Sequence, residues 1–202
     1  MVLVGLTGGV GMGKSTVAQF LAARGEKLID TDLLARDLVA AGQPALEEIR
    51  EQFGSTVFSR EGKLDRKALG AMVFNNSERR QKLEAILHPR IRQAWREQAE
   101  KWREAGIPRG VVVIPLLYET GAEAELDKVV CVACSALLQR FRLKARQWSE
   151  QEISARVKAQ WPSEKKQDRA DGVIWNESTL EICEEQTARI FGSTCFRSEA
   201  QA

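Results

Sequence analysis

The chain has 202 residues, 44% of them hydrophobic and 29% charged, with 30 basic and 28 acidic side chains giving a net charge of +2. It is long enough to bury one sizeable core and too apolar for a disordered chain, and so small a net charge excludes a global nucleic-acid footprint, leaving anion binding to local clusters of arginine and lysine. No apolar run approaches a membrane span, and Met1-Val2-Leu3-Val4 carries no basic leader, so a cytoplasmic location and no membrane partner are expected.

Val2–Leu6 reads as a short buried strand. It runs into Gly8-Gly9-Val10-Gly11-Met12-Gly13-Lys14-Ser15, which fits G-x-x-x-x-G-K-[ST], with a helical pattern starting at Ser15. A glycine-rich turn between a strand and a helix is a phosphate cradle. Its glycines let the backbone turn back and aim N–H groups at phosphate oxygens, and the helix behind it points its positive dipole end the same way. Lys14 then reaches the β- and γ-phosphates, and the Ser15 hydroxyl ligates Mg²⁺.

Lys27-Leu28-Ile29 is a second strand with Asp30-Thr31-Asp32 at its carboxyl end, in an extended stretch where Thr31 points away from both aspartates. Between Asp32 and Pro108 the pattern is helical: Leu33–Ala41, Pro44–Phe53, Arg66–Phe74 and a long helix from Ser77 to Trp102. His88-Pro89 should kink or restart that last helix. An insertion this large in an α/β core suggests a substrate-binding subdomain. Val111–Ile114 is a third strand, ending in Pro115-Leu116-Leu117-Tyr118-Glu119, and Lys128–Val132 a fourth.

Leu137–Arg146 reads as a helix with Gln139, Arg142 and Arg146 on one face, and Ser149-Glu150-Gln151-Glu152 is a capping box opening another helix through Arg156 to Trp161. Such a cationic helical hairpin suits a lid over transferring phosphate. Gly172–Trp175 is a weaker fifth strand, and the tail Ser193–Ala202 should fray. Cys131, Cys134, Cys183 and Cys195 offer one C-x-x-C and no second pair at zinc spacing, so they are read as free thiols. Short apolar strands joined through helices imply a parallel sheet, whose carboxyl ends gather the ligand site.

Taken in order, these motifs resemble the dephospho-coenzyme A kinase family, from Val4 to about Asn176. The residues that carry the resemblance are Leu6–Thr16, Ile29–Asp32 with Ala35-Arg36, Phe53-Gly54, Leu64-Asp65-Arg66, Val73-Phe74, Leu87-His88-Pro89, Pro115–Gly121, Gln139 with Arg142 and Arg146, and Ala170–Asn176. Met12 stands where the family often has serine, Thr31 where alanine is common and Tyr118 where phenylalanine is common. The resemblance implies an α/β, P-loop kinase-like parallel sheet flanked by helices. The core then comprises residues 1–32, 106–135 and 170–192, with a helical CoA-substrate domain at 33–105, a lid at 136–169 and a tail at 193–202. It implies transfer of phosphate from ATP to the ribose 3′-hydroxyl of dephospho-CoA.

On that reading Gly9, Gly11, Met12, Gly13, Lys14, Ser15 and Thr16 bind ATP, with Arg142 and Arg146 on its phosphates or stacked on adenine and Asn176 near the base. Ser15 is the metal ligand. Phosphoryl transfer relies on positioning and charge neutralisation, so Lys14 and Arg142 supply charge in the transition state. The acceptor hydroxyl must lose its proton, and Asp32 is the carboxylate assigned as base; a helix cap is its plainer alternative. Asp30 is a structural neighbour. Arg36, His88, Leu117 and Glu119 are assigned to the acceptor substrate, Glu119 alternatively to Mg²⁺ through water. No N-K-x-D stretch marks a guanine switch, and no basic stripe interleaved with aromatics marks a nucleic-acid ATPase. Expected partners are small molecules alone, with the chain a monomer or weak homo-oligomer.

Overall fold

A computed structural model describes residues 1–74 and 76–196, with the side chain of Phe74 left aside. Five strands form one sheet: β1 (Val2–Thr7), β2 (Lys27–Asp30), β3 (Arg109–Val113), β4 (Lys128–Ala133) and β5 (Gly172–Trp175). Their order is β2-β3-β1-β4-β5 and every pairing is parallel. Parallel strands need helical crossovers, which bury both faces. Accordingly Val4, Leu6, Val111, Val113, Val130, Val132 and Ile174 are buried together with Val17 and Leu21 of helix α1 (Lys14–Ala23). The chain leaves β1 toward β2 and leaves β4 toward β5. The connections leaving those two carboxyl ends therefore diverge where β1 meets β4, which is where an open α/β sheet leaves its crevice.

The remaining helices are α2 (Thr31–Asp37), α3 (Pro44–Phe53), α4 (Arg66–Phe74), α5 (Ser77–Glu104), α6 (Ala136–Ala145), α7 (Glu150–Lys158), α8 (Ser163–Arg169) and α9 (Leu180–Gly192). The chain divides into two compact units, one of residues 31–98 and the other of residues 1–30 with 99 onward. The smaller unit has its own core of Val39, Ala45, Leu46, Ile49, Phe53, Val57, Leu69 and Ile86. Residues 136–169 belong to the larger unit.

Several local expectations are corrected. Helix α2 starts at Thr31, so Thr31 is a buried helical residue, and Asp32 lies inside the first turn instead of capping it. An acidic side chain is favoured there by the helix dipole. Helix α5 runs unbroken through Pro89. The proline removes one backbone donor, and the Arg90 guanidinium donates to the Ile86 carbonyl (2.6 Å) one residue beyond the carbonyl left without its helical partner. The helix from Ser149 stops at Lys158, and a separate α8 follows Pro162. The tail does not fray at its start: Thr194–Phe196 forms a 3₁₀ turn whose Phe196 is buried in the sheet's core. The rest of the tail, 197–202, lies outside the described residues.

At the amino ends of the strands Arg109 acts as a clasp. It makes a two-pronged, mostly buried ion pair with Glu26, donates to the carbonyls of Phe191 and Phe196, and lies over the Phe191 ring.

Candidate functional site

The loop from Gly8 to Gly13 joins β1 to α1. Gly8, Gly11 and Gly13 adopt positive φ, and each also has a close neighbour, most tightly at Gly8 and Gly13. A Cβ at Gly8 would lie 2.2 Å from the Val132 carbonyl oxygen of β4, and one at Gly13 would lie 1.9 Å from the Asn176 amide nitrogen. Only glycine meets both the conformation and the space. Gly13 then serves as the N-cap of α1. The first turn of any helix carries amide donors that intrahelical bonds cannot use, which suits it to anions.

Side chains from distant segments hold the loop. The Lys14 ammonium donates back to the carbonyls of Gly8 (2.8 Å) and Gly9 (3.0 Å). The Gln139 amide donates to the Val10 carbonyl (2.7 Å), and the Val10 N–H donates to the Gln160 side-chain oxygen (2.9 Å). Asn176 is buried and donates to the Met12 carbonyl (3.0 Å), while its own side-chain oxygen accepts from Arg142 (3.4 Å). Arg142 Nη1 is buried with no hydrogen-bond partner among the described residues. It stands 3.7 Å from where a Cβ at Gly13 would be. A buried guanidinium N–H left unpaired beside a phosphate cradle asks for an anion, because leaving it unpaired is costly.

Helix α6 is placed by its cap. The Ser135 hydroxyl accepts from the Leu138 N–H (3.2 Å), and Ser135 donates its own N–H and hydroxyl to the Glu177 carboxylate (2.6 Å each). Those bonds hold the Glu177 carboxyl below its ordinary range. Gln139, Arg142 and Arg146 do not share one environment. Gln139 is buried against the loop, Arg142 is half-buried, and Arg146 is exposed at the helix's C-cap. The chain turns there through Gln147 at φ 63, with Gln147 N–H bonded to Lys144 and Trp148 N–H to Leu143. That is a Schellman turn without the usual glycine.

Beyond β3, Glu119 Oε1 accepts from the Trp161 N–H (2.7 Å) and from the ammonium of Lys166 (2.8 Å), which is fully buried and also donates to the Pro115 carbonyl (3.0 Å). Glu119 Oε2 is buried without a hydrogen-bond partner among the described residues. Leu117 is fully buried, its side chain filling the space beside Gly5. Tyr118 stacks on Trp161, and burial pushes its hydroxyl up to about 12. Burial likewise pushes the Cys131 thiol up to about 11, against the pull of Lys166 and Lys14. The four cysteines are free thiols, three buried and Cys195 exposed.

The larger unit thus brings together the loop glycines, Lys14, Arg142 and Asn176. Ser15 is exposed in the first turn of α1, with Thr16 next to it. Asp32 and Arg36 belong to the smaller unit, exposed one turn apart on α2 and so on one face of it, and His88 is half-buried on α5. Gln160 and Lys166 escaped sequence reasoning. A lysine in the wholly polar stretch Ser163–Arg169 gives no periodic sign of burial, and a glutamine near a helix end reads as surface.

Comparison with known proteins places these features in a lineage. The family model for dephospho-CoA kinase matches residues 2–181. A dephospho-CoA kinase from Anaeromyxobacter dehalogenans is 47% identical over 90% of this chain and 86% of its own. One from Bacillus cereus is 42% identical over 89% and 90%. Among solved structures, a Thermus thermophilus protein superposes with a TM-score of 0.81 at 35% identity, covering 95% of this chain and 96% of its own. The dephospho-CoA kinase from Campylobacter jejuni gives 0.69 at 28% identity, with 94% and 95% covered.

Proposed function

The chain belongs to the dephospho-CoA kinase family, and on that premise we propose that it transfers the γ-phosphoryl group of ATP to the ribose 3′-hydroxyl of dephospho-CoA, giving coenzyme A, through the residues described above. The observation that carries the reading is the cradle itself: a strand-to-helix loop that only glycine can form, with Lys14 and the unpaired N–H of Arg142 beside it.

In this reading the backbone from Gly9 to Thr16 binds the ATP phosphates. Lys14 exchanges its loop carbonyls for phosphate oxygens, and Arg142 spends its unpaired N–H on the same charge. Arg146 contributes from the end of α6, and Asn176 shapes the base side of the pocket. Among the described residues no cluster of three or more His, Cys, Asp or Glu could hold a metal. The Ser15 hydroxyl and the nucleotide's own oxygens are the hard donors that suit Mg²⁺, which when bound neutralises phosphate charge.

Asp32 is the base that accepts the 3′-hydroxyl proton as the phosphoryl group departs for that oxygen, a role worth ~10²–10⁴ in rate. It is exposed on the first turn of α2, within reach of a ligand from solvent. Arg36 on the same face offers a cation to the acceptor's phosphates. His88 we assign to acceptor binding. Glu119, with one oxygen loaded by Lys166 and Trp161, has the other to receive a donor from the acceptor or from metal-bound water, and Leu117 shapes that segment from beneath. Residues 33–105 form the acceptor domain and 136–169 the lid.

The partners are then two small molecules, with no nucleic acid, and the chain works in the cytoplasm as a monomer or weak homo-oligomer. No helix among the described residues is long and apolar enough to cross a membrane. A coupled ADP-release assay with ATP, Mg²⁺ and dephospho-CoA, run beside adenosine, AMP and gluconate, tests the proposal. Turnover with dephospho-CoA alone, abolished in Lys14→Ala, is expected; ADP release driven by another acceptor would discard the substrate assignment.

A further inference from the structure

We infer that Gln139 and Gln160 are positioning residues for ATP: two neutral side-chain amides, from helix α6 and from the segment after α7, clamp both backbone groups of Val10 and hold the phosphate loop in its binding shape. The inference rests on the reading of that loop as the ATP site.

The geometry is specific in sense as well as distance. Val10's carbonyl can only accept, and it receives the Gln139 amide N–H at 2.7 Å. Val10's N–H can only donate, and it gives to the Gln160 oxygen at 2.9 Å. The partners lie 129 and 150 residues away in sequence, so this is a tertiary fixture and not a local turn. A loop tip of this kind has no ladder to satisfy its polar groups, and a buried backbone group left unpaired is costly. Amides meet the need without placing a net charge beside a polyanion.

Both clamp arms are themselves anchored. Gln139 is buried and sits one turn before Arg142 on α6, so its grip on Val10 sets how far along the loop the guanidinium falls. Gln160 is followed by Trp161, whose N–H is held by Glu119, and Glu119 is held by the buried Lys166. Lys166 in turn reaches the Pro115 carbonyl, which also accepts from Thr7 at the end of β1 (3.4 Å). The tip of the loop and the strand that feeds it are thus braced through one segment. One consequence is that the Val10 N–H is already spent, so among the loop's backbone groups Val10 gives no donor to the phosphates.

Calorimetric titration of the full chain with ATP in the presence of Mg²⁺ tests the clamp, with thermal melting of each variant as the control for fold. Gln139→Ala and Gln160→Ala are each expected to weaken ATP binding by about 5- to 10-fold, the worth of one hydrogen bond with its partner left unpaired. Together they should cost less than the product, since both act through Val10. The isosteric glutamates separate positioning from packing. Gln160→Glu keeps an acceptor for the Val10 N–H and should bind ATP more tightly than Gln160→Ala. Gln139→Glu sets a carboxylate against the Val10 carbonyl and should bind no better than Gln139→Ala. Both bring the same charge next to the same residue, so their difference reports the sense of the hydrogen bond. Equal affinities for the two glutamate variants, or alanine variants that bind like the wild type, would overturn the clamp. A wild-type chain that fails to bind ATP, or that binds it equally well as Lys14→Ala, would overturn the nucleotide reading and the clamp with it.

Discussion

Around the phosphate loop, three side chains reach across 129, 150 and 164 residues of sequence to fix backbone groups of Val10 and Met12. In the 31–98 unit, the side chains proposed to meet the acceptor stand on helices whose ties are nearer in sequence. The carbonyl of Arg36 is held by Arg66 thirty residues on, and Glu48 pairs with Arg90 across forty-two. The loop is a shaped backbone that would relax without its fixtures, whereas Asp32 and Arg36 sit one turn apart on a regular helix. Substitutions among the loop's fixtures should therefore alter the form of the site, and substitutions of Asp32 or Arg36 its chemistry.

The sharpest way to break that contrast is Asp32→Asn. The expected result is a fall in kcat of ~10²–10⁴ with ATP affinity unmoved and melting temperature lowered only by the small dipole contribution, about 0.3–1 kcal/mol; a larger loss of stability would make Asp32 part of the helix's architecture. Next comes Ile49→Ala, which empties a fully buried position in the smaller core. It should cost about 2–5 kcal/mol, read as faster hydrogen exchange in α3 with β1 still protected.

The larger unit can be probed through its thiols. At pH 8 iodoacetamide should label Cys195 and leave Cys131, Cys134 and Cys183 untouched, as peptide masses will show. Burial raises the Cys131 thiol from 9.0 to about 11. Below pH 9 folded and unfolded chains both keep that proton, and between 9 and 11 only the folded chain does. Stability should thus be whole below pH 9 and fall as pH rises toward 11. The smallest effect is expected at the turn after α6. Gln147→Gly relieves a left-handed residue and should add up to about 1 kcal/mol in urea unfolding.

How much of this was readable beforehand follows from what each element asks of its residues. Strands β1, β3 and β4 are short, β-branched-rich runs that are almost wholly buried, and all five strands lie within a residue or two of their expected places. Helices α3 and α4 match residue for residue, because proline at the start of one and glycine after its end punctuate the chain physically. Pro89 misled for the opposite reason: a long helix tolerates one missing donor when its neighbours and a side chain compensate. The phosphate loop was legible because its glycines, lysine and serine are set by local backbone demands. Its fixtures were not, since Gln139, Gln160 and Lys166 are polar residues buried by partners that no spacing rule connects. Phe196 belongs with them: an aromatic in a short polar tail gives no sign that a core is waiting for it.

Arg109 stands at the amino end of β3, at the opposite end of the strands from the phosphate loop, and buttons the last helix and the turn after it to the start of the sheet. Severing a mostly buried pair of this kind costs about 3–5 kcal/mol. In a cell the injury would be counted in copies rather than in speed. A lesion there would thin the population of working molecules by exposing them to proteases, while each survivor kept its ordinary pace.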